Sequence, residues 1–230
     1  MTTKPLIQMN NIGKMFGEDE YQHSVLEGID LTINKGDFLM ILGKSGSGKT
    51  TLMNIIGFLD DLSTGDYLFL GQKVSELKET KKAELRNQYI GFIFQQFFLI
   101  ESLNIKQNIE LPLVYSGIHS KKERKKKAKH YLDLVGIGDK MTAKTTQLSG
   151  GQQQRAAIAR ALINEPLMIM ADEPTGALDS ETSLAIMTLL KDLNQQGITI
   201  VMVTHDEDLL RYATRVVRIS DGQLTEEGIA

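Results

Sequence analysis

The chain has 230 residues, of which 41% are hydrophobic, 6% aromatic and 24% charged; 26 basic and 29 acidic side chains leave a net charge of −3, and cysteine is absent. These are the proportions of a soluble globular protein with enough chain to bury a core. They exclude a general electrostatic hold on nucleic acid, a disulfide framework, a thiolate metal site and a cysteine nucleophile. No run of about 18 apolar residues exists to span a bilayer. Met1 to Pro5 carries one lysine and no apolar stretch behind it. We therefore expect no signal peptide and a cytoplasmic chain, any membrane partner being a separate polypeptide.

Residues 6–12 and 24–33 alternate apolar and polar, the pattern of edge strands in an antiparallel sheet. Phe38-Leu39-Met40-Ile41-Leu42 is a continuous apolar run, and residues 167–171 and 198–203 look the same. Such runs fit strands buried on both faces of a parallel sheet. Residues 90–94 fit the same pattern, weakened by Gly91. Helical patterns cover residues 51–59, 80–88, 121–134, 152–163 and 180–195, the last with apolar Leu184, Met187, Leu190 and Leu193. Asp221-Gly222 marks a hairpin between two apolar stretches. Alternating strands and helices predict an α/β core. Residues 97–163 hold no convincing strand and read as an inserted helical subdomain, with residues 1–96 and 164–230 forming the core of one domain.

Ligands of open α/β sheets bind beyond the carboxyl ends of the strands, so the residues there are informative. After the first buried run comes Gly43-Lys44-Ser45-Gly46-Ser47-Gly48-Lys49-Thr50, which matches G-x-x-x-x-G-K-[ST], the Walker A loop. Its glycines let backbone N–H groups wrap a triphosphate, and the following helix N-terminus adds partial positive charge. Lys49 supplies a full charge near the β and γ oxygens, and the Thr50 hydroxyl can ligate Mg²⁺. Gln95 follows residues 90–94, Asp172-Glu173 follow residues 167–171, and Thr204-His205 follow residues 198–203. Asp172 suits a metal and Glu173 the polarisation of an attacking water; alone, the pair would read as an ordinary acidic helix start. Leu148-Ser149-Gly150-Gly151-Gln152 opens a second glycine-rich helix without a lysine. It suits an anion, or simply Ser149 as an N-cap.

Other features read more plainly. The basic run 121–129 has no interleaved aromatic residue and reads as a solvated helix face. His23, His119 and His130 have no context that assigns them a role. Phe92 and Phe94 read as core, whereas Phe97 and Phe98 lie past the strand end as a potential apolar docking surface.

Together these residues resemble the nucleotide-binding subunit of ABC transporters over nearly the whole chain: a P-loop NTPase (RecA-like) core with an antiparallel β subdomain and an inserted helical subdomain. Gly43 to Thr50 is similar to Walker A, Gln95 to the Q-loop glutamine, Leu148 to Gln152 to the signature motif, Leu167 to Glu173 to Walker B, Ala177-Leu178-Asp179 to the D-loop and His205 to the switch histidine. The resemblance implies ATP and Mg²⁺ as cofactors, with Thr50, Gln95 and Asp172 at the metal and Thr51 among the phosphate contacts. It implies catalytic roles for Glu173, His205, Gln95 and Lys49. Phe16 falls near the family's adenine-stacking aromatic, with Tyr21 as its competitor.

The family's sites form in a head-to-tail homodimer, where ATP on one Walker A loop is capped by the other chain's signature motif. The resemblance therefore implies Ser149, Gly150, Gly151 and Gln152 acting in trans, and Asp179 linking the two sites. Tyr89-Ile90-Gly91-Phe92-Ile93-Phe94-Gln95, Ile109-Glu110-Leu111-Pro112-Leu113, the stretch from Leu148 to Arg155 and the stretch from Ala171 to Asp179 narrow it to the MacB/LolD/FtsE-type group. Leu52-Met53-Asn54-Ile55-Ile56-Gly57 favours the MacB-like branch. The resemblance then implies an ATPase for a separate membrane permease, with or without a periplasmic or extracellular adaptor, exporting antimicrobial peptides or macrolide-type drugs. Lipoprotein release and signalling through an FtsX-like membrane protein stand as alternatives. Either way the chain is expected at the cytoplasmic face of the cell membrane, touching it only through the permease. A soluble ABC ATPase of DNA repair or translation is disfavoured. The span from Thr50 to Leu148 is too short for a long coiled coil, and there is one cassette only.

Overall fold

The computed structural model describes residues 4–17 and 22–227. Its elements in chain order are β1 (Ile7–Phe16), β2 (His23–Ile33), β3 (Phe38–Leu42), α1 (Lys49–Ile56), β4 (Thr64–Phe69), β5 (Gln72–Lys73), α2 (Glu79–Tyr89), β6 (Ile90–Phe94), α3 (Ile105–Tyr115), α4 (Lys121–Leu134), α5 (Gly150–Leu162), β7 (Met168–Asp172), α6 (Ser180–Gln195), β8 (Thr199–Thr204), β9 (Arg215–Ser220) and β10 (Gln223–Glu227). They fall into two compact units. One runs to Ala83 and resumes at Thr199; the other runs from Glu84 to Ile198.

In the first unit an antiparallel sheet has the order β2-β1-β4-β5. The expectation that β1 and β2 are both edge strands is corrected: β1 lies between β2 and β4. Its alternation buries Ile7, Met9, Ile12 and Lys14, with register shifts that interrupt the period. The partner β4 escapes a pattern reading because its first half, Thr64-Gly65-Asp66, is polar and exposed. In a second sheet β3 is parallel to β8 on one side and β9 on the other. All five residues of β3 are buried, and so are all six of β8, which is why neither alternates. Asp221 and Gly222, both at positive φ, close the β9–β10 hairpin.

In the second unit β6 and β7 pair in parallel, register Ile90↔Met168 through Phe94↔Asp172. Gly91 is a packing device rather than a weakness. A Cβ there would lie 2.4 Å from the Ala161 carbonyl oxygen of α5, so only glycine lets strand and helix meet this closely. Residues 97–163 contain α3, α4 and α5, with one isolated bridge between Asn104 and Lys144 among the described residues. Asn104 and Gln107 form a capping box that starts α3. The buried stripe of α6 is Ile186, Met187, Leu190 and Leu193. Leu184, expected on that stripe, is instead 52% exposed. Phe92 and Phe94, expected in the core, are half-buried and stack on each other with centroids 5.8 Å apart.

Candidate functional site

The phosphate loop belongs to the first unit. It leaves the end of β3, and His205 leaves the end of β8, where Leu42 and Thr204 are register partners. Parallel pairing thus brings residues 43–50 and His205 to neighbouring strand ends. Gly48, at φ 103°, begins α1 without any side-chain cap. A Cβ there would lie 2.9 Å from Leu26 Cδ2 and 3.0 Å from the Val25 carbonyl, so the turn requires glycine on both counts. An uncapped helix start leaves its first backbone donors to be satisfied from outside, at the positive end of the helix dipole.

Two side chains sharpen this. Lys49 is only 8% exposed, and its ammonium donates to the carbonyls of Gly43 and Lys44, each at 2.7 Å. Ser47 Oγ is buried with no hydrogen-bond partner. An orphaned hydroxyl, a buried cation and an uncapped helix start on one short loop fit a polyphosphate group. Lys44, Ser45, Gly46 and Thr50 lie exposed around the loop, and Thr51 is half-buried. Phe16, at the end of β1, is 38% exposed and stacks on His23 at 6.1 Å. Lys14 Nζ lies 4.7 Å from the Phe16 ring centroid and is itself held by Asp60 at 2.7 Å. Tyr21, the competing aromatic, lies outside the described residues.

The remaining predicted residues belong to the second unit. Phe94 and Asp172 are register partners, so Gln95 and Glu173 leave adjacent strand ends. They converge over Gly176: a Cβ built there would lie 2.7 Å from Gln95 Nε2 and 3.4 Å from Glu173 Oε2. Glu173 sits at φ 43°, a left-handed conformation that costs a non-glycine residue roughly 1–3 kcal/mol. Such strain directs attention to the side chain it aims.

Ser149 caps α5: its Oγ accepts from the Gln152 amide at 3.3 Å, and Gln152 Oε1 accepts from the Ser149 amide at 3.1 Å. The capping reading of Ser149 is thus realised, and it leaves the exposed N-terminus of α5 presenting Ser149, with Gly150 and Gly151 half-buried behind it. Gly151 abuts α6, where a Cβ would lie 2.4 Å from Thr182 Cγ2. Asp179 is exposed and caps α6, accepting from the Thr182 amide at 2.9 Å and the Thr182 hydroxyl at 2.7 Å. Those hydrogen bonds hold its carboxyl below the ordinary aspartate range.

Two further residues of this unit escaped the sequence reading. Arg160 donates to the carbonyls of Phe97 and Phe98, which both adopt positive φ. Burial lowers its pKa. Gln154 is fully buried on α5 and donates through Nε2 to the carbonyl of Pro174, the residue after Glu173. Its spacing from buried Ala157, Ile158 and Ala161 marks it as a polar residue on an apolar helix stripe, a signal legible in advance. Among the described residues no three His, Asp or Glu side chains gather into a metal cage.

The sequence pattern of the ABC transporter family matches residues 26–176. An uncharacterized ABC transporter ATP-binding protein of Methanocaldococcus jannaschii is 46% identical over 221 residues, 96% of this chain and 98% of that protein. The uncharacterized ABC transporter ATP-binding protein YknY of Bacillus subtilis is 48% identical over 95% of both chains. The macrolide export ATP-binding/permease protein MacB of Marinobacter nauticus is 47% identical over 99% of this chain, which spans 35% of that longer protein. A dimeric ATP-binding cassette, solved in a post-hydrolysis state with ADP and Pi, superposes with a TM-score of 0.89 at 42% identity, covering 97% of this chain and 99% of the other. Sequence, fold and phosphate loop agree, and the chain belongs to the ABC transporter family, as one of its ATP-hydrolysing cassettes.

Proposed function

We propose that this ATPase drives a separate MacB-like membrane permease, and that the work exports antimicrobial peptides or macrolide-type drugs. The reading is supported by 47% identity to the ATP-binding part of a MacB protein. The chain works as a head-to-tail homodimer on the cytoplasmic face of the membrane, held there by its permease, with or without an outer adaptor, and without nucleic acid. Residues 97–163 act as the helical subdomain and residues 1–96 with 164–230 as the ATP-binding core.

The proposed roles are those the family resemblance implies. The loop from Gly43 to Thr50, with Thr51, binds the phosphates; Lys49 exchanges its two loop carbonyls for phosphate oxygens, which as anions are the stronger acceptors. Phe16 stacks on the adenine. Thr50, Asp172 and Gln95 hold Mg²⁺, which when bound neutralises charge on the phosphates. Glu173 orients and polarises the attacking water, and His205 contacts the γ-phosphate. Ser149, Gly150, Gly151 and Gln152 close over the nucleotide of the second chain, and Asp179 joins the two sites. Phosphoryl transfer asks a protein for positioning and charge placement rather than covalent work. The observation that carries the chemistry is the uncapped start of α1 with buried Lys49 and the orphaned Ser47 hydroxyl.

Glu173→Gln tests it. The amide keeps size and hydrogen bonding but cannot accept a proton. ATP binding by titration should stay within about twofold, while steady-state phosphate release falls by at least about a hundredfold. Normal turnover in this variant would remove Glu173 from the role. For the cargo, ATPase activity of the chain with its native permease should rise when peptides or macrolides are added.

A further inference from the structure

Gln154 is fully buried, yet only half of its amide is used. Nε2 donates to the Pro174 carbonyl, while Oε1 has no hydrogen-bond partner. An unsatisfied buried amide oxygen costs free energy that methionine or leucine would not incur. The hydrogen bond it retains falls at an informative place. The Pro174 carbonyl belongs to the Pro174–Thr175 peptide, one residue beyond Glu173, whose own backbone is held at φ 43°. A strained residue keeps its conformation only where its surroundings over-determine it. Gly176 donates its amide to the Glu173 carbonyl at 3.0 Å, which fixes the turn from one side. Gln154 holds the Pro174–Thr175 peptide of the same turn.

We propose that Gln154 is a positioning residue for Glu173: it orients the Pro174 peptide, and through it the direction in which the Glu173 carboxylate points. The proposal rests on the reading of Glu173 as the water-polarising group. It also gives α5 a second task. The helix presents Ser149 at its start, and just over one turn later it grips the loop carrying Glu173 of its own chain. Closure over one nucleotide and orientation of the carboxylate at the other therefore share one rigid element.

The test is Gln154→Met, which keeps the volume and removes the donor, with Gln154→Asn, one methylene short, as a second variant should the first fold poorly. ATP binding and thermal melting report folding. The expected result is a kcat lowered at least about tenfold with KM for ATP within about twofold. In a Glu173→Gln background the same substitution should add no further loss to the residual single-turnover rate, because the group being positioned is gone. A kcat within about twofold of the parent in a folded variant overturns the proposal, and so does a further tenfold loss in the Glu173→Gln background. Should Glu173→Gln itself turn over normally, the underlying assignment of Glu173 fails instead, and the two failures are told apart.

Discussion

Lys49 is the residue whose surroundings most constrain its task. A buried ammonium needs partners, and its two are the carbonyls of Gly43 and Lys44 in its own loop. Lys49→Ala removes the only full charge buried in that loop while leaving Gly48 and the backbone turn in place. ATP affinity should fall at least about tenfold, or about 1.4 kcal/mol, as read by calorimetric titration with MgATP. An unchanged Kd would show that the backbone and helix start hold the phosphates unaided. Lys49 was legible in the sequence because its motif is contiguous: eight adjacent residues specify the turn, the charge and the helix start. The place of Gln154 on the apolar stripe of α5 was legible too, but its task was not, because its partner Pro174 lies twenty positions along the chain. Arg160 stayed hidden for the same reason, its partners being more than sixty residues away.

At the scale of elements, legibility followed burial. Strands β3, β7 and β8 are sheathed on both faces, so each announces itself as a mostly apolar run without alternation. Strands with one exposed face need clean alternation. Register shifts blur it in β1, and a polar first half hides β4, so the antiparallel sheet was only half read. Helix α4 runs over the predicted residues 121–134, and Ser120 caps its start by accepting from the Glu123 amide. Gly91 looked like a flaw in β6 because a sequence cannot show what lies across from it. With the Ala161 carbonyl and Cβ there, Gly91→Ala forces strand and helix apart, since none of these atoms is the end of a flexible side chain. The cost should be about 1–3 kcal/mol, seen as a lowered urea midpoint with unchanged slope. A midpoint equal to the parent's would mean that the β6–α5 packing yields freely.

For the molecule as a whole, the decisive arrangement is that one chain carries two helix starts suited to phosphate, and only one of them has a lysine. A single nucleotide served by both helix starts of the same copy would make each copy self-sufficient. A head-to-tail pair instead splits each site between copies, with the lysine from one and the serine from the other. Complementation separates these arrangements. Lys49→Ala leaves the Ser149 face intact. Ser149→Asp leaves the phosphate loop intact and preserves α5, since aspartate caps a helix as well as serine, yet in the proposed pair it would turn a negative charge toward the γ-phosphate. Each variant alone should hydrolyse ATP at no more than about a tenth of the parental rate. Mixed in equal amounts, they form hetero-pairs in which one site joins the sound loop of one chain to the sound α5 start of the other. Activity of the mixture should then exceed the sum of the separate activities and rise with total protein concentration, as mass action requires of a site completed by association. Strict additivity at every concentration would mean that each copy assembles its own site, and the trans role of Ser149 would fall with it.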